Sequence, residues 1–417
     1  MMQLRVAVAF GLLVLVVGCG HDATRAVPPD PDAPPTTLLG RAILPANAEH
    51  VGPMSGSAIS ADNGVTPPFA DQPVAGFSAI LNTGRGEFWA MPDNGYGAKD
   101  NSADFLLRLY RIRPRFRTAR GGDGTIDVRD FVSLRDPDGR IPFALTRPDR
   151  LLTGADLDPE SVRRANDGTF WFGDEFGPFL LHTDATGKVL AAPFALPGEQ
   201  SPQNPYLATR DGWTIPASRG FEAMAASSDG TRLYPMLEGG RRNDNDRHRR
   251  IIMEFDLRKE RFTGRTWSYR TDADVPDASI GDMTSLGDQR FALIERDDEQ
   301  GAAVRQKKIY AIDLRRRNAD GHLVKRPVVD LLAIRDPHGI SSPPRPGEFG
   351  VGSRFSFPLQ SVESVEVLDG DRLLIANDNN YPSNDGRWTE RDRPDDTELI
   401  IVHAARRLGA LRARDGR

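Results

Sequence analysis

Beyond residue 36 the chain alternates short apolar runs with Asx- and Gly-containing turns, and no long stretch shows helical periodicity. One pattern returns five times. Its copies are Gly76-Phe77-Ser78-Ala79-Ile80-Leu81 with 87–94, 158–162 with 169–175, 220–224 with 232–238, 281–286 with 290–295, and 362–367 with 373–378. Each reads as strand, turn, strand, the signature of a hairpin. Further strand-like runs follow at 106–111, 251–257, 308–314 and 398–403, and fourth strands at 263–269 and 324–331. Four antiparallel strands per repeat predict an all-β fold, a β-propeller of five or six blades. An N-terminal strand near 38–44 is expected to join the last blade and close the ring. Segment 118–143 is the candidate for a sixth blade, and a pair of β-sandwich domains is the competing architecture.

Ser78, Glu160, Glu222, Asp282 and Glu363 stand at matching positions, 82, 62, 60 and 81 residues apart. A blade needs roughly 40–50 residues, so each period leaves room for insertions, such as 337–357, at one rim. No compositional break divides the remainder, which predicts one domain over 37–417.

The N-terminus follows another pattern. One Arg precedes an apolar run over 6–17, too short to span a ~30 Å hydrocarbon core and of the size of a signal-peptide core. The run leads into Val16-Val17-Gly18-Cys19, similar to a bacterial lipoprotein signal, and Cys19 is the only cysteine. Residues 1–18 are therefore expected to be a signal peptide, with a lipidated Cys19 and a Pro-rich tether over 19–36. The expected location is the exported face of a membrane, held by the lipid anchor.

Composition narrows the function. A hydrophobic share of 39%, a charged share of 27% and a net charge of -5 fit a soluble globule and not a nucleic-acid binder. Gly (40) and Pro (32) form about 17% of the chain, above typical usage, in keeping with many turns. A single Cys excludes a disulfide framework and a Cys-rich zinc site. The basic residues are 48 Arg to 6 Lys, which reads as codon bias. Gly-x-Ser-x-Gly, HExxH, EF-hand and P-loop motifs are absent.

The repeat puts an acid near the start of the first strand (Glu160, Glu222, Asp282, Glu363) and another at the end of the second (Asp93, Asp174, Glu175, Glu238, Glu295, Asp378). In a hairpin these two points are neighbours, so a propeller would bring all of them to one mouth. Like charges crowded there need raised pKa values, Arg partners or bound cations. Oxygen donors of this kind suit Ca²⁺. The second-strand acids and Asp282 are then the expected metal ligands, with Arg219 and Arg296 as a clamp on substrate. Glu222 or Glu363 is the expected proton donor to a leaving oxygen. Purely structural pairing of these acids with Arg163, Arg219 or Arg296 stays open. The loops Asp93-Asn94-Gly95-Tyr96-Gly97 and Asp378-Asn379-Asn380-Tyr381 resemble each other and could hold a ligand or serve only as Asx turns.

Over 76–94, 152–177, 220–238, 280–297 and 361–379 the chain resembles the phytase-like family described as having esterase-like activity. The resemblance implies a propeller, an exported hydrolase of phosphoester or carboxylic ester bonds, and a site lined by Glu160, Glu222 and Glu363. Ser78 departs from the pattern and puts a fully symmetric metal ring in doubt. The Arg-His-Gly signature of histidine acid phytases is absent. The alternatives are a ligand- or protein-binding propeller without catalysis and a lactonase-like hydrolase.

Overall fold

The computed structural model describes residues 35–388, 392–404 and 408; the signal-peptide and Cys19 readings lie outside them. Among the described residues the chain is all-β apart from a short helical turn at Gly301–Ala303 and the helical residue Leu408. No helix among the described residues is long and apolar enough to cross a membrane.

Each hairpin of the sequence pattern opens an antiparallel meander. The first comprises Ala79–Gly84, Glu87–Met91, Arg108–Arg115 and Thr125–Ser133; the second Pro159–Arg164, Phe170–Asp174, Phe179–Thr183 and Phe194–Ala195. The third is Phe221–Ala226, Arg232–Leu237, Arg249–Asp256 and Arg261–Arg270, and the fourth Ser279–Gly287, Arg290–Arg296, Lys307–Arg317 and Leu323–Asp330. The last contains Ser361–Asp369, Arg372–Asp378 and Thr397–Ala404. Its fourth strand comes from the other end of the chain: Thr36–Leu44 runs antiparallel to Thr397–Ala404. Ile43 also touches Thr125 in parallel, which links the last and first meanders into one ten-stranded sheet. Segment 118–143, weighed as a further blade, instead supplies the outer strand Thr125–Ser133 of the first meander.

The meanders pack face to face because alternate residues on each strand are apolar. Met91 and Leu109 of the first meet Val162 and Phe172 of the second. Trp171 and Leu180 meet Phe221 and Leu233, and Met236 and Trp267 meet Met283 and Phe291. Ile294 and Ile309 meet Val365 and Ile375. Leu374 and Leu399 of the last meander share a buried layer with Ile80 and Phe88 of the first. The first strand of every meander lies against that of the next, and that of the last against that of the first.

Insertion 337–357 does not hang free. Arg354–Phe355 pairs with Ile334–Arg335, which pairs in turn with Thr36–Thr37, so the insertion packs on the N-terminal strand. A buried ion cluster fastens this seam. Arg41 on the N-terminal strand donates to Glu398 (2.7 and 3.1 Å) and to Glu348 of the insertion (2.5 Å). Arg387 grips the same Glu398 at 2.5 and 3.2 Å. Burial pulls the Glu398 carboxyl upward, but the two guanidiniums outweigh it and hold it at about 2.

Removing one partner of a buried cluster strands its counter-charges. Arg41→Ala is expected to lose about 3–5 kcal/mol in equilibrium denaturant unfolding. A loss below about 1 kcal/mol, the range of an exposed ion pair, would contradict this role.

Candidate functional site

A one-residue register shift builds the site. The first strands of the second, third and last meanders slip between Pro159 and Ser161, between Phe221 and Ala223, and between Val362 and Ser364. The residues inside those bulges are Glu160, Glu222 and Glu363. An extra residue in one strand bends the chain and re-aims the side chain it carries. Here it turns three glutamates from three meanders toward one point, where their carboxylate oxygens lie within 4.8 Å of one another.

The second-strand acids join them at the same edge. Glu175 N donates to Asp158 O and Glu238 N to Gly220 O, both at 2.9 Å, placing these acids beside the starts of the first strands. Gly220 has to be glycine, because a Cβ there would run into the main chain of Glu175 in the preceding meander. Gly76 repeats the arrangement against Asp378 and Asn379 of the last meander. Two further triads result, Asp93 with Asp158 and Glu160, and Glu175 with Glu222 and Glu238, again within 4.8 Å. Ser78 stands where the first meander would carry its glutamate, and its hydroxyl donates to Glu363 Oε2 at 3.2 Å.

All of these acids except the half-buried Asp93 are buried. Burial raises Glu222 well above the usual carboxylate range, and the charges of Glu363 and Glu238 add to it. Glu160 is raised by burial, then by Glu222 and Asp158. Asp158 and Asp378 are raised by burial and then by Asp93, and Glu175 by burial and then by Glu238. Asp93 is lifted by burial to about 6. Glu363 is also raised by burial, against the pull of Arg296, which donates to it at 2.8 Å and to Glu238 at 3.3 Å. Arg219 pairs with Glu238 and donates to Ser279 Oγ at 3.0 Å. Both guanidiniums therefore engage carboxylates of the cluster.

Three acids of the sequence pattern go elsewhere. In the fourth meander the slip spans Ile280 to Met283, and Met283 faces Leu293 as Ala223 faces Met236, so Asp282 stands in register with Glu222. The Asp282 carboxylate nevertheless turns away and ion-pairs with Arg163 at 2.6 Å. Asp174 accepts from the backbone N–H groups of Asp158 (2.8 Å) and Gly177 (2.7 Å), closing a turn. Glu295 accepts from Tyr269 Oη (2.5 Å), Gln306 Nε2 and Lys325 Nζ (both 2.7 Å). Conversely, Asp158 belongs to the cluster although sequence reasoning did not single it out; its signal was the Asp-Pro-Glu that replaces Gly-Phe-Glu.

The two resembling loops meet above the cluster. Asp93 accepts from Gly95 N (2.8 Å) and Asp378 from Asn380 N (3.0 Å), so both are Asx turns, and both line one cavity of about 450 Å³. Residues 45–78 cross this mouth as a strap. Asn63 Nδ2 donates to the Pro382 and Ser383 carbonyls (2.9 and 2.8 Å), while Gly56 N and Ser57 N donate to Asp104 (3.0 and 2.9 Å). Phe69 of the strap sits between Tyr96 and Tyr381.

The donor set fits a hard divalent cation, being oxygen-only and anionic. An independent sign is Glu175 Oε1, buried and without a hydrogen-bond partner.

A family model described as "Phytase-like: Esterase-like activity of phytase" matches residues 72–381. An "Uncharacterized secreted protein" of Arthroderma benhamiae is 25% identical, the match covering 42% of this chain and 45% of that protein, so the chain spans less than half the length of this relative. Among solved structures, an endo-arabinanase from Bacillus licheniformis shares 12% identity over 79% of this chain and 94% of its own, with a TM-score of 0.38. A periplasmic gluconolactonase from Pseudomonas aeruginosa shares 12% identity over 88% of this chain and 100% of its own, with a TM-score of 0.36.

The electrostatics set a pH dependence. The native chain keeps protons on Asp93, at about 6, and on Asp174, raised by burial to about 7. The unfolded chain releases them near pH 4, so between these values the native state binds more protons and stability falls as pH rises. The cation-free melting temperature is therefore expected to drop from about pH 5 to about pH 8, and calcium to raise it more at the higher pH. A flat or rising cation-free profile, or an equal calcium shift at both ends, would contradict the assignment.

Proposed function

The chain belongs to the phytase-like family, and from that membership we propose an exported hydrolase of phosphoester or carboxylic ester bonds, assisted by calcium at the carboxylate cluster. The observation that carries this reading is the convergence of Glu160, Glu222 and Glu363, each on a bulge of a different meander. The scaffold we infer is a five-bladed propeller closed by Thr36–Leu44. Export is supported by the 6–17 apolar run and the secreted relative, and lipid anchoring by Cys19.

Asp93, Asp158, Glu160, Glu175, Glu238 and Glu363 would hold the cation. Bound there, it would polarise the ester or phosphoryl oxygen and make a bound water more acidic. Glu222, kept protonated by burial beside Glu363 and Glu238, holds a proton for the leaving oxygen. Glu363, fixed by Arg296 and by the Ser78 hydroxyl, is oriented to take a proton from water. The strap limits access of bulk water to this centre.

A second reading, a binding propeller without catalysis, draws on Arg219 and Arg296, whose donors meet cluster acids as in a structural network. A lactonase-like hydrolase would use the same polarisation of a carbonyl.

Ester, phosphomonoester and lactone substrates, each with calcium or a chelator, test the reading: turnover on at least one should require calcium. Glu222→Gln is expected to lower kcat by about 100-fold or more. The same change should leave the cation-free melting temperature about equal, because a neutral amide replaces a protonated acid of the same shape. Absence of turnover in the folded, calcium-loaded chain would favour the binding module, and a Glu222→Gln variant with full activity would overturn the role of Glu222.

A further inference from the structure

The cavity beneath the strap carries chemistry of its own. Among the described residues that line it there is no lysine, arginine or histidine, and its charged members are Asp62 and Asp93. The nearby guanidiniums of Arg219 and Arg296 do not line it and are ion-paired with Glu238, Asp298 and Glu363. A phosphate body in this space, away from the cation that Asp93 would help to hold, meets the Asp62 carboxylate and no bidentate donor, although planar cationic forks are the usual partners of phosphate. What the wall does offer is neutral. Asn384 and the Oδ1 of Asn380 present amide groups, the Asn101 amide being held by Tyr96 O and Ser102 Oγ and Asn380 Nδ2 by Ser361 Oγ, and the rings of Tyr96 and Tyr381 bracket Phe69. Amides hydrogen-bond hydroxyl groups in either direction, and aromatic rings provide apolar area with a polar tip. The volume, about 450 Å³, lies in the range of sites for small organic ligands.

We propose that the substrate body taken by this cavity is uncharged and hydroxyl-rich, so that the bond presented to the carboxylate cluster is a carboxylic ester or lactone and not a phosphoester. The inference rests on the hydrolase reading above and narrows its substrate class. In the reaction, water adds its oxygen to the acyl carbon, the carbon–oxygen bond to the alcohol breaks, and the alcohol oxygen leaves with one proton. The products are a carboxylic acid and a free hydroxyl, with no oxidant or co-substrate required.

A matched pair tests it: 6-O-acetylglucose and glucose 6-phosphate, one sugar esterified at one position by a neutral or an anionic group. The calcium-loaded chain is expected to cleave the acetate with a kcat/KM at least about tenfold above that for the phosphate; equal rates or a phosphate preference would overturn the proposal. If neither is cleaved, the hydrolase reading fails, and calorimetry with glucose against glucose 6-phosphate still decides the cavity: tighter binding of the neutral sugar supports it, and tighter or equal binding of the phosphate, or binding of neither, overturns it. Ser60→Lys, which adds a cation to the strap wall, should raise affinity for glucose 6-phosphate about tenfold. A folded variant without that gain would show that missing positive charge is not what excludes phosphate.

Discussion

Mutual repulsion among buried carboxylates is the constraint on which the rest of this structure depends. Glu160, Glu222 and Glu363 meet within 4.8 Å, and both neighbouring triads share a member with them. Two like charges at about 4 Å cost ~4 kcal/mol at an effective dielectric of 20. A few such pairs equal the whole net stability of a typical domain, about 5–15 kcal/mol. A fully ionised cluster with only Arg219 and Arg296 beside it would therefore be hard to keep folded. Protons or cations belong to the native state, which is why these carboxyls are pushed upward in pKa and why calcium enters the functional reading.

The scaffold makes that tension tolerable. Each glutamate sits on the first strand of a four-stranded meander, and each of these strands lies against the first strand of its neighbours. Apolar layers such as Ile294–Val365 and Trp171–Phe221 fix the spacing. The Arg41–Glu398–Arg387 cluster ties the N-terminal strand to the last meander. Relaxing the repulsion by spreading the glutamates would open these layers, so strain at the mouth is resisted by packing along the strands.

Much of this was legible in the sequence because hairpins announce themselves locally, through turn residues between apolar runs. The strand near 38–44 and the outer strands at 263–269 and 324–331 were likewise visible as periodic patterns. What the residues do not announce is which partner each side chain meets across the fold. Asp282 keeps the register of Glu222, as the repeat implies, yet its carboxylate turns to Arg163 of another meander. Glu295 stands at the strand end the repeat implies, but its partners Tyr269, Gln306 and Lys325 come from other strands and loops, and only the fold brings them near. The strap over the mouth was also invisible, since 45–78 has little regular structure and its function depends on distant anchors, Asp104 and Pro382.

Anomalous diffraction from crystals soaked in calcium bears most directly on the cluster as a cation-dependent centre. The expected result is an anomalous peak about 2.3–2.6 Å from oxygens of Glu160 and Glu363. Ordered carboxylates in that arrangement, with no peak among them at saturating calcium, would contradict it.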